Sequence, residues 1–250
     1  MTIYTTTLGF CNTDVFRAGM KHYYATAALK TEHYFLYNHY PRHKEQNRRE
    51  AEDICREHGL HFVDGLFDRG LGANTKYLFS QMPLKRGDII LGYDPDARPD
   101  RIGWDRDMVE VLNAEKDLAM LSVAFGFTQA NIDRGYLKGQ RQTIAGHDVF
   151  IVDRNCIDMI DVSAWRWETF QVLGGGLPVN NSTPYYGHNE TPLCYMLSAA
   201  GLRYGYMLDH VESTTFAHLG DPEYQEWKRA HLEGFKGSFA QYLEKYYHGK

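Results

Sequence analysis

Two carboxylates stand one residue apart in Tyr93-Asp94-Pro95-Asp96-Ala97, directly after the apolar run Asp88-Ile89-Ile90-Leu91-Gly92-Tyr93. Hard divalent cations take oxygen ligands, and Mg2+ or Mn2+ commonly bridges protein carboxylates and substrate phosphates. In such a pair one carboxylate can bind the ion directly and the other through water or a ribose. The bland alternative for the same residues is a solvated turn, to which Pro95 is suited. The preceding run favours chemistry. A continuous apolar strand is of the kind buried in a parallel sheet, and ligands of such sheets bind beyond the carboxyl ends of the strands.

The elements that must position this pair follow from periodicity. Ile3 to Phe10 reads as a strand, and Asp14 to Leu29 as a helix capped by Asp14 or Thr13. His33 to Tyr40 is a second, aromatic strand stopped by Pro41. Arg42 to His58 is a charged helix ended by Gly59. Leu60 to Val63, Asp88 to Tyr93 and Ala119 to Phe125 read as strands, with helices at Thr75 to Gln81 and Met108 to Glu115 between them. Strands alternating with helices imply an α/β fold with a mixed, mostly parallel sheet flanked by helices. The second half is less regular. Thr128 to Arg141 has no strong period, Asp148 to Asp153 and Thr169 to Leu173 read as strands, and Gly174-Gly175-Gly176 is a break. Thr191 to Ala200 reads as a helix and Arg203 to Met207 as a strand.

From Pro222 onward, Tyr224, Trp227, His231, Phe235, Phe239, Leu243 and Tyr246 recur at helical spacing. Their opposite face mixes Glu and Lys, which favours packing on the domain over membrane insertion. The expected organisation is one domain over 1–220 and a helical extension over 221–250 packed on it.

Composition bounds the rest. A chain of 250 residues, 43% apolar and 24% charged, excludes collagen-like, low-complexity and disordered classes. The 18 Tyr, 13 Phe and 4 Trp build cores and line sugar or base pockets equally well, so they decide nothing alone. A net charge of −5 does not favour nucleic acid as a partner. Cys11, Cys55, Cys156 and Cys194 form no C-x-x-C pair. That argues against a zinc ribbon and a disulfide scaffold, and for reduced thiols in a cytoplasmic protein. The first residues lack a basic, then apolar, leader, so no secretory signal is expected. The most apolar stretch, Leu118 to Phe127, is about half of a membrane span. Oligomeric state is not legible.

Several passages fall in an order that resembles the GT-A nucleotide-sugar glycosyltransferases, especially the family-2-like group. Asp68-Arg69-Gly70-Leu71-Gly72-Ala73-Asn74 resembles the segment that lines the nucleotide site ahead of the metal strand. Lys85 to Asp96 resembles the strand with its D-x-D. Gly174-Gly175-Gly176 is similar to a glycine turn near the acceptor, and Gly187-His188-Asn189-Glu190-Thr191-Pro192-Leu193-Cys194 to a "G-E-D-x-D-L" passage. Ala200 to Tyr206 resembles an "a-G-y-r" turn and strand, and Thr215-Phe216-Ala217-His218-Leu219-Gly220 a late histidine.

The resemblance implies sugar transfer from a nucleoside-diphosphate sugar to an acceptor hydroxyl, with Mn2+ or Mg2+ as cofactor. It implies a hexosyl- or pentosyltransferase whose acceptor is a glycan or glycoconjugate. Asp94 and Asp96 would hold the metal with His218; His210 competes with His218 for that place. The family's acidic pair is here Asn189-Glu190; if the reaction inverts the anomeric centre, Glu190 is the candidate general base. Its alternative role is to complement a helix dipole, and His188 is the second base candidate. The nucleotide would lie over the first two strands, read by Thr5, Thr6, Thr7 and Asn38, with Arg69, Asn74, Lys76, Tyr93 and Asp94 around it. The three threonines are equally good strand material, and Arg69 and Lys76 equally at home on a solvated surface.

G-x-G-x-x-G after the first strand, a P-loop and G-x-S-x-G are all absent from the sequence. A nucleotidyltransferase, an inert carbohydrate-binding protein and a virus-type enzyme glycosylating a modified DNA base stay open. Arg134, Lys138 and Arg141 form a small basic cluster that suits an anionic acceptor, or simply solubility.

Overall fold

The computed structural model describes residues 1–9, 12–39, 45–65, 70–153, 160–172, 197–213 and Pro222. The expected extension over 221–250 therefore lies outside the described residues apart from Pro222. The first half alternates as β1 (Ile3–Gly9), α1 (Thr13–Thr26), β2 (Glu32–Tyr37), α2 (Glu45–His58), β3 (His61–Asp64), α3 (Gly70–Ser80) and β4 (Ile89–Tyr93). There follow α4 (Trp104–Ala114), β5 (Leu118–Phe125), α5 (Thr128–Asp133), β6 (Gly139–Ile144), β7 (His147–Val152), β8 (Val162–Arg166), α6 (Trp167–Val172) and β9 (Arg203–Glu212).

Local chemistry accounts for the boundaries. The Asn12 side chain, not Thr13 or Asp14, caps α1 by accepting the Val15 N–H at 3.1 Å. In α2 the buried residues Ala51, Ile54 and Cys55 recur at three and four, while Glu45, Arg48 and Arg49 pair on the outer face. Gly59 then turns left-handed at φ 71°, which stops the helix. Burial pushes the Cys55 thiol up to about 12, leaving it an inert core residue.

Among the described residues the strands form one nine-stranded sheet in the order β3-β2-β1-β4-β8-β5-β9-β7-β6. β1 to β4 are mutually parallel, and β5 and β9 run with them; β7 and β8 run against the rest. One face packs under α1, α2 and α4 through Phe16, Met20, Ile54, Trp104, Met108 and Leu112. The other packs against α3 and α6 through Leu78, Phe79 and Phe170. A sheet covered on both faces buries every residue of its central strands, and β5 is buried throughout. The chain winds from β1 outward to β2 and β3, then returns to place β4 on the other side of β1. That reversal opens the crevice in which α/β proteins bind ligands.

Several elements differ from expectation: α5 and the start of β6 occupy the stretch from Thr128 to Arg141 that has no strong period, and β8 and α6 depart further. β8, inserted antiparallel between β4 and β5, has no strong sequence signal, because Val162-Ser163-Ala164-Trp165-Arg166 is short and half polar. Its polarity is absorbed internally: Trp165 Nε1 donates to Ser163 Oγ at 2.7 Å and Ser122 Oγ to Val162 O at 2.9 Å. The run from Thr169, expected as a strand, belongs to helix α6 as far as Val172. Phe170 stacks edge-on against Phe79 at 4.7 Å, and Trp167 also meets Phe79, so the i, i+3 face decides over β-propensity.

Beneath α1 a polar layer interrupts the core. Thr7 Oγ1 lies 2.9 Å from Nε2 of His33, which is fully buried. Burial, assisted by nearby His58, pushes the His33 pKa down to about 3 from 6.5. As pH falls through that interval the unfolded chain takes up a proton that the folded ring refuses. The stability present above pH 6.5 is therefore lost on acidification toward about 3. The melting temperature should drop as pH is lowered below 6.5, and His33→Gln should flatten that slope. Thermal denaturation of both proteins across a pH series checks this; parallel curves would contradict it.

Candidate functional site

The carboxylate pair sits in a closed turn at the carboxyl end of β4. The Ala97 N–H donates to Asp94 O at 3.0 Å, so Pro95 and Asp96 occupy the two central positions of a β-turn. The Asp94 N–H donates to Asp161 O at 3.0 Å, ahead of β8. Arg98 Nη1 ties Pro95 O and Ala97 O at 2.9 and 2.6 Å. From below, the Tyr93 hydroxyl donates to Ala97 O at 2.9 Å. The exit is bound to β9: the Asp100 N–H donates to Val211 O and the Val211 N–H to Asp100 Oδ1, each at 2.9 Å. The pair is thus held by backbone bonds from three directions. Asp96 is buried and Asp94 half-buried. Two carboxylates on a turn whose backbone is fixed in this way are a donor set suited to a hard divalent cation such as Mg2+ or Mn2+.

Helix α1 packs directly on this turn. A Cβ built on Gly19 would lie 2.1 Å from Pro95 O, a backbone atom that cannot swing aside. Gly19→Ala should therefore displace the turn while the hydrophobic layers survive. A misplacement of that order should lower turnover about 10²-fold, at a stability cost of about 1–3 kcal/mol. Turnover and denaturant titration on the same preparation check it. Unchanged activity would mean that the turn's position is not critical.

A second group gathers where β2 and β3 end. Asn38 is anchored by its N–H on Gly9 O at 2.9 Å, and Asn74 Nδ2 donates to Asn38 Oδ1 at 2.5 Å. Both amides are buried, so two residues far apart in the sequence form one unit. Beside them His39 Nε2 lies 2.5 Å from Asp64 Oδ1, with Arg48 Nη1 3.7 Å from Asp64 Oδ2. Sequence reasoning singled out neither His39 nor Asp64. Their one signal is position, since each stands at the end of a strand in the parallel set.

The remaining candidates scatter. Thr5 and Thr7 are fully buried on the α1 side of β1. Thr5 Oγ1 bonds the Tyr23 hydroxyl at 2.8 Å and Thr31 Oγ1 at 2.7 Å, and Thr7 bonds His33. Thr6 points to the opposite face, with Oγ1 on Leu91 O at 3.3 Å. These hydroxyls serve the interior. Tyr93 is likewise buried, its ring flanked by Tyr23 and Trp104. Burial holds its phenol well above the ordinary value, so it stays a donor that supports the turn from beneath. Lys76 is exposed on α3. In the basic cluster Arg141 is engaged across the β6–β7 hairpin with Asp148, while Arg134 and Lys138 are exposed. Arg69, His188, Glu190, His218 and the Gly174-Gly175-Gly176 turn lie outside the described residues. His210 is buried against α4, where Nε2 lies 3.2 Å from Asp107 Oδ2.

No protein-family model matches the chain, and no curated protein sequence matches it. Solved structures do match. One is the mannosyltransferase PcManGT from Pyrobaculum calidifontis in complex with GDP-Man and Mn2+, at 13% identity and a TM-score of 0.63, over 91% of this chain and 60% of that one. A second is GalNAc-T7 with UDP, GalNAc and Mn2+, at 10% identity and a TM-score of 0.59, over 98% and 53%. A third is S. aureus TarS 1-349 in complex with UDP, at 11% identity and a TM-score of 0.54, over 96% and 68%. The chain spans 60% and 53% of the length of the first two. At these identities the likeness is one of fold, and the fold is the GT-A arrangement of nucleotide-sugar glycosyltransferases. Among the described residues no helix is long and apolar enough to cross a membrane.

Proposed function

We propose that the protein is a metal-dependent glycosyltransferase that moves a hexosyl or pentosyl group from a nucleoside-diphosphate sugar to a hydroxyl of a glycan or glycoconjugate. One observation carries the reading: in a GT-A fold, Asp94 and Asp96 stand on a braced turn at the carboxyl end of β4, where the winding of the sheet reverses. Relatives in fold hold GDP-Man with Mn2+, or UDP with GalNAc and Mn2+. The same chemistry suits this carboxylate pair.

The donor would span the crevice from β2 to β4. Those strands lie two spacings apart, roughly 10 Å, a distance matched to a nucleoside diphosphate laid across the strand ends. Asn38, Asn74 and the His39–Asp64 pair supply amide, imidazole and carboxylate groups suited to hydrogen bonds with a base and ribose. Asp94 and Asp96, with His218, would hold Mn2+ or Mg2+, which supplies charge neutralisation for the departing diphosphate. Glu190 takes the acceptor proton as the acceptor oxygen attacks the anomeric carbon; His188 is the alternative base. The net charge of −5 does not favour nucleic acid as the acceptor.

The test is hydrolysis and transfer from a panel of sugar nucleotides with Mn2+ or with EDTA. Metal-dependent release of nucleoside diphosphate is the expected result. Release of pyrophosphate from a nucleoside triphosphate supplied with a sugar 1-phosphate, with no transfer from the sugar nucleotides, would instead identify a nucleotidyltransferase, and binding without turnover an inert sugar-binding protein.

A further inference from the structure

Asp107, His147 and His210 converge from three separate elements. Their potential ligand atoms all lie within 4.8 Å of one another. Asp107 comes from the first turn of α4, and His147 opens β7 immediately after the hairpin turn. His210 is delivered by a bulge in β9. Val123 pairs with Met207 and Ala124 with Val211, so Leu208, Asp209 and His210 are extra residues on the β9 side. A bulge of this kind re-aims side chains that a regular strand would point elsewhere. The hairpin turn is equally specific. Ala145 and Gly146 both have positive φ, 52° and 87°, and Ala145 is the one non-glycine residue with positive φ among the described residues. An alanine held left-handed there costs conformational energy, and it sets His147 against Asp209.

The polar accounting of the cluster is incomplete. His210 is nine-tenths buried or more, and its Nδ1 has no hydrogen-bond partner among the described residues. Asp209 Oδ1 is in the same condition. The other ring nitrogen of His210, Nε2, faces Asp107 Oδ2 at 3.2 Å, so Nε2 is the atom this ring offers to the cluster. Asp209 Oδ2 meets His147 Nδ1 at 2.9 Å. That is the carboxylate–imidazole arrangement which orients a metal-binding ring through its other nitrogen.

We propose that Asp107, His147 and His210 form a second cation site, of zinc type, distinct from the Asp94–Asp96 pair, which staples the β6–β7 hairpin and β9 to α4. Two imidazoles and one carboxylate are a borderline donor set that suits Zn2+, whereas a pair of carboxylates suits Mg2+ or Mn2+. Tetrahedral bonds of about 2.0–2.2 Å place ligand atoms roughly 3.4 Å apart. Modest side-chain rotation therefore closes the cluster around an ion. Water would complete the coordination. The site lies on the strand that holds Asp100, so the staple also steadies the exit of the carboxylate turn.

The experiment uses the full-length protein stripped with a chelator and then titrated with Zn2+ alone, read by calorimetry and thermal shift. Wild type and an Asp94→Ala/Asp96→Ala variant should both bind one Zn2+ per chain with equal affinity and a raised melting temperature. His147→Ala, a change at a half-buried position, should weaken that binding by at least about 10-fold. Substitution with Co2+ should give the visible ligand-field bands of a tetrahedral site in wild type, a readout that needs no variant. Absence of both the Zn2+ shift and the Co2+ bands in wild type overturns the proposal. So does Zn2+ binding that vanishes in the Asp94→Ala/Asp96→Ala variant, or that His147→Ala leaves unchanged.

Discussion

Asp96→Ala is expected to lose turnover by about 10³-fold or more while the protein stays folded. The size follows from what a bound cation contributes. Neutralising charge that develops on a departing diphosphate is worth several kcal/mol, and each 1.4 kcal/mol is about a factor of ten. Survival of the fold follows from the turn itself. Its bonds run through Asp94 O, Pro95 O, Ala97 O and the Asp94, Ala97 and Asp100 N–H groups, none of which the substitution removes. Donor turnover against Mn2+ concentration, with a melting curve on the same sample, checks both halves. A variant that keeps wild-type activity would remove Asp96 from the metal assignment.

Glu190→Gln should have the next largest effect and a different signature. The substitution keeps side-chain size and hydrogen-bonding reach but removes the base. Loss of a general base costs about 10²–10⁴-fold in rate. Donor affinity should stay near wild type, because the donor groups at β2, β3 and β4 do not include Glu190. Calorimetry with the donor and a transfer assay separate the outcomes. A fall in donor affinity alongside the rate would assign Glu190 to the donor site. No change in either would leave it a helix-end carboxylate and make His188→Gln the next variant.

The first half is legible in the sequence because its strands and helices have distinct periods. Ile89 to Tyr93 is a continuous run without a charged residue, α2 repeats its buried face at three and four, and Gly59 marks a stop. The location of Asp94 and Asp96 at a strand end followed from the same run. The interior role of Thr5, Thr7 and Tyr93 was not legible. In a sheet covered on both faces, a strand hydroxyl that bonds Tyr23 or His33 reads in sequence like one that faces a ligand. The Asn38–Asn74 bond and the His39–Asp64 pair are products of topology, joining positions whose only shared property is the edge of the sheet where they lie. The β9 bulge was illegible for a related reason. Three inserted residues change which way His210 faces without altering composition or period.

Metal-dependent binding of a sugar nucleotide at Asp94 and Asp96 is tested by a thermal-shift screen of the protein against nucleoside-diphosphate sugars, each with Mn2+ and with EDTA. Ligand that binds the folded state raises the melting temperature by mass action, about 2.7 kcal/mol at a hundredfold excess over the dissociation constant. The expected result is a rise for a subset of donors sharing one base, present with Mn2+ and abolished by EDTA, and absent in Asp94→Ala/Asp96→Ala. Equal shifts in Mn2+ and EDTA, or no shift with any donor, would contradict it.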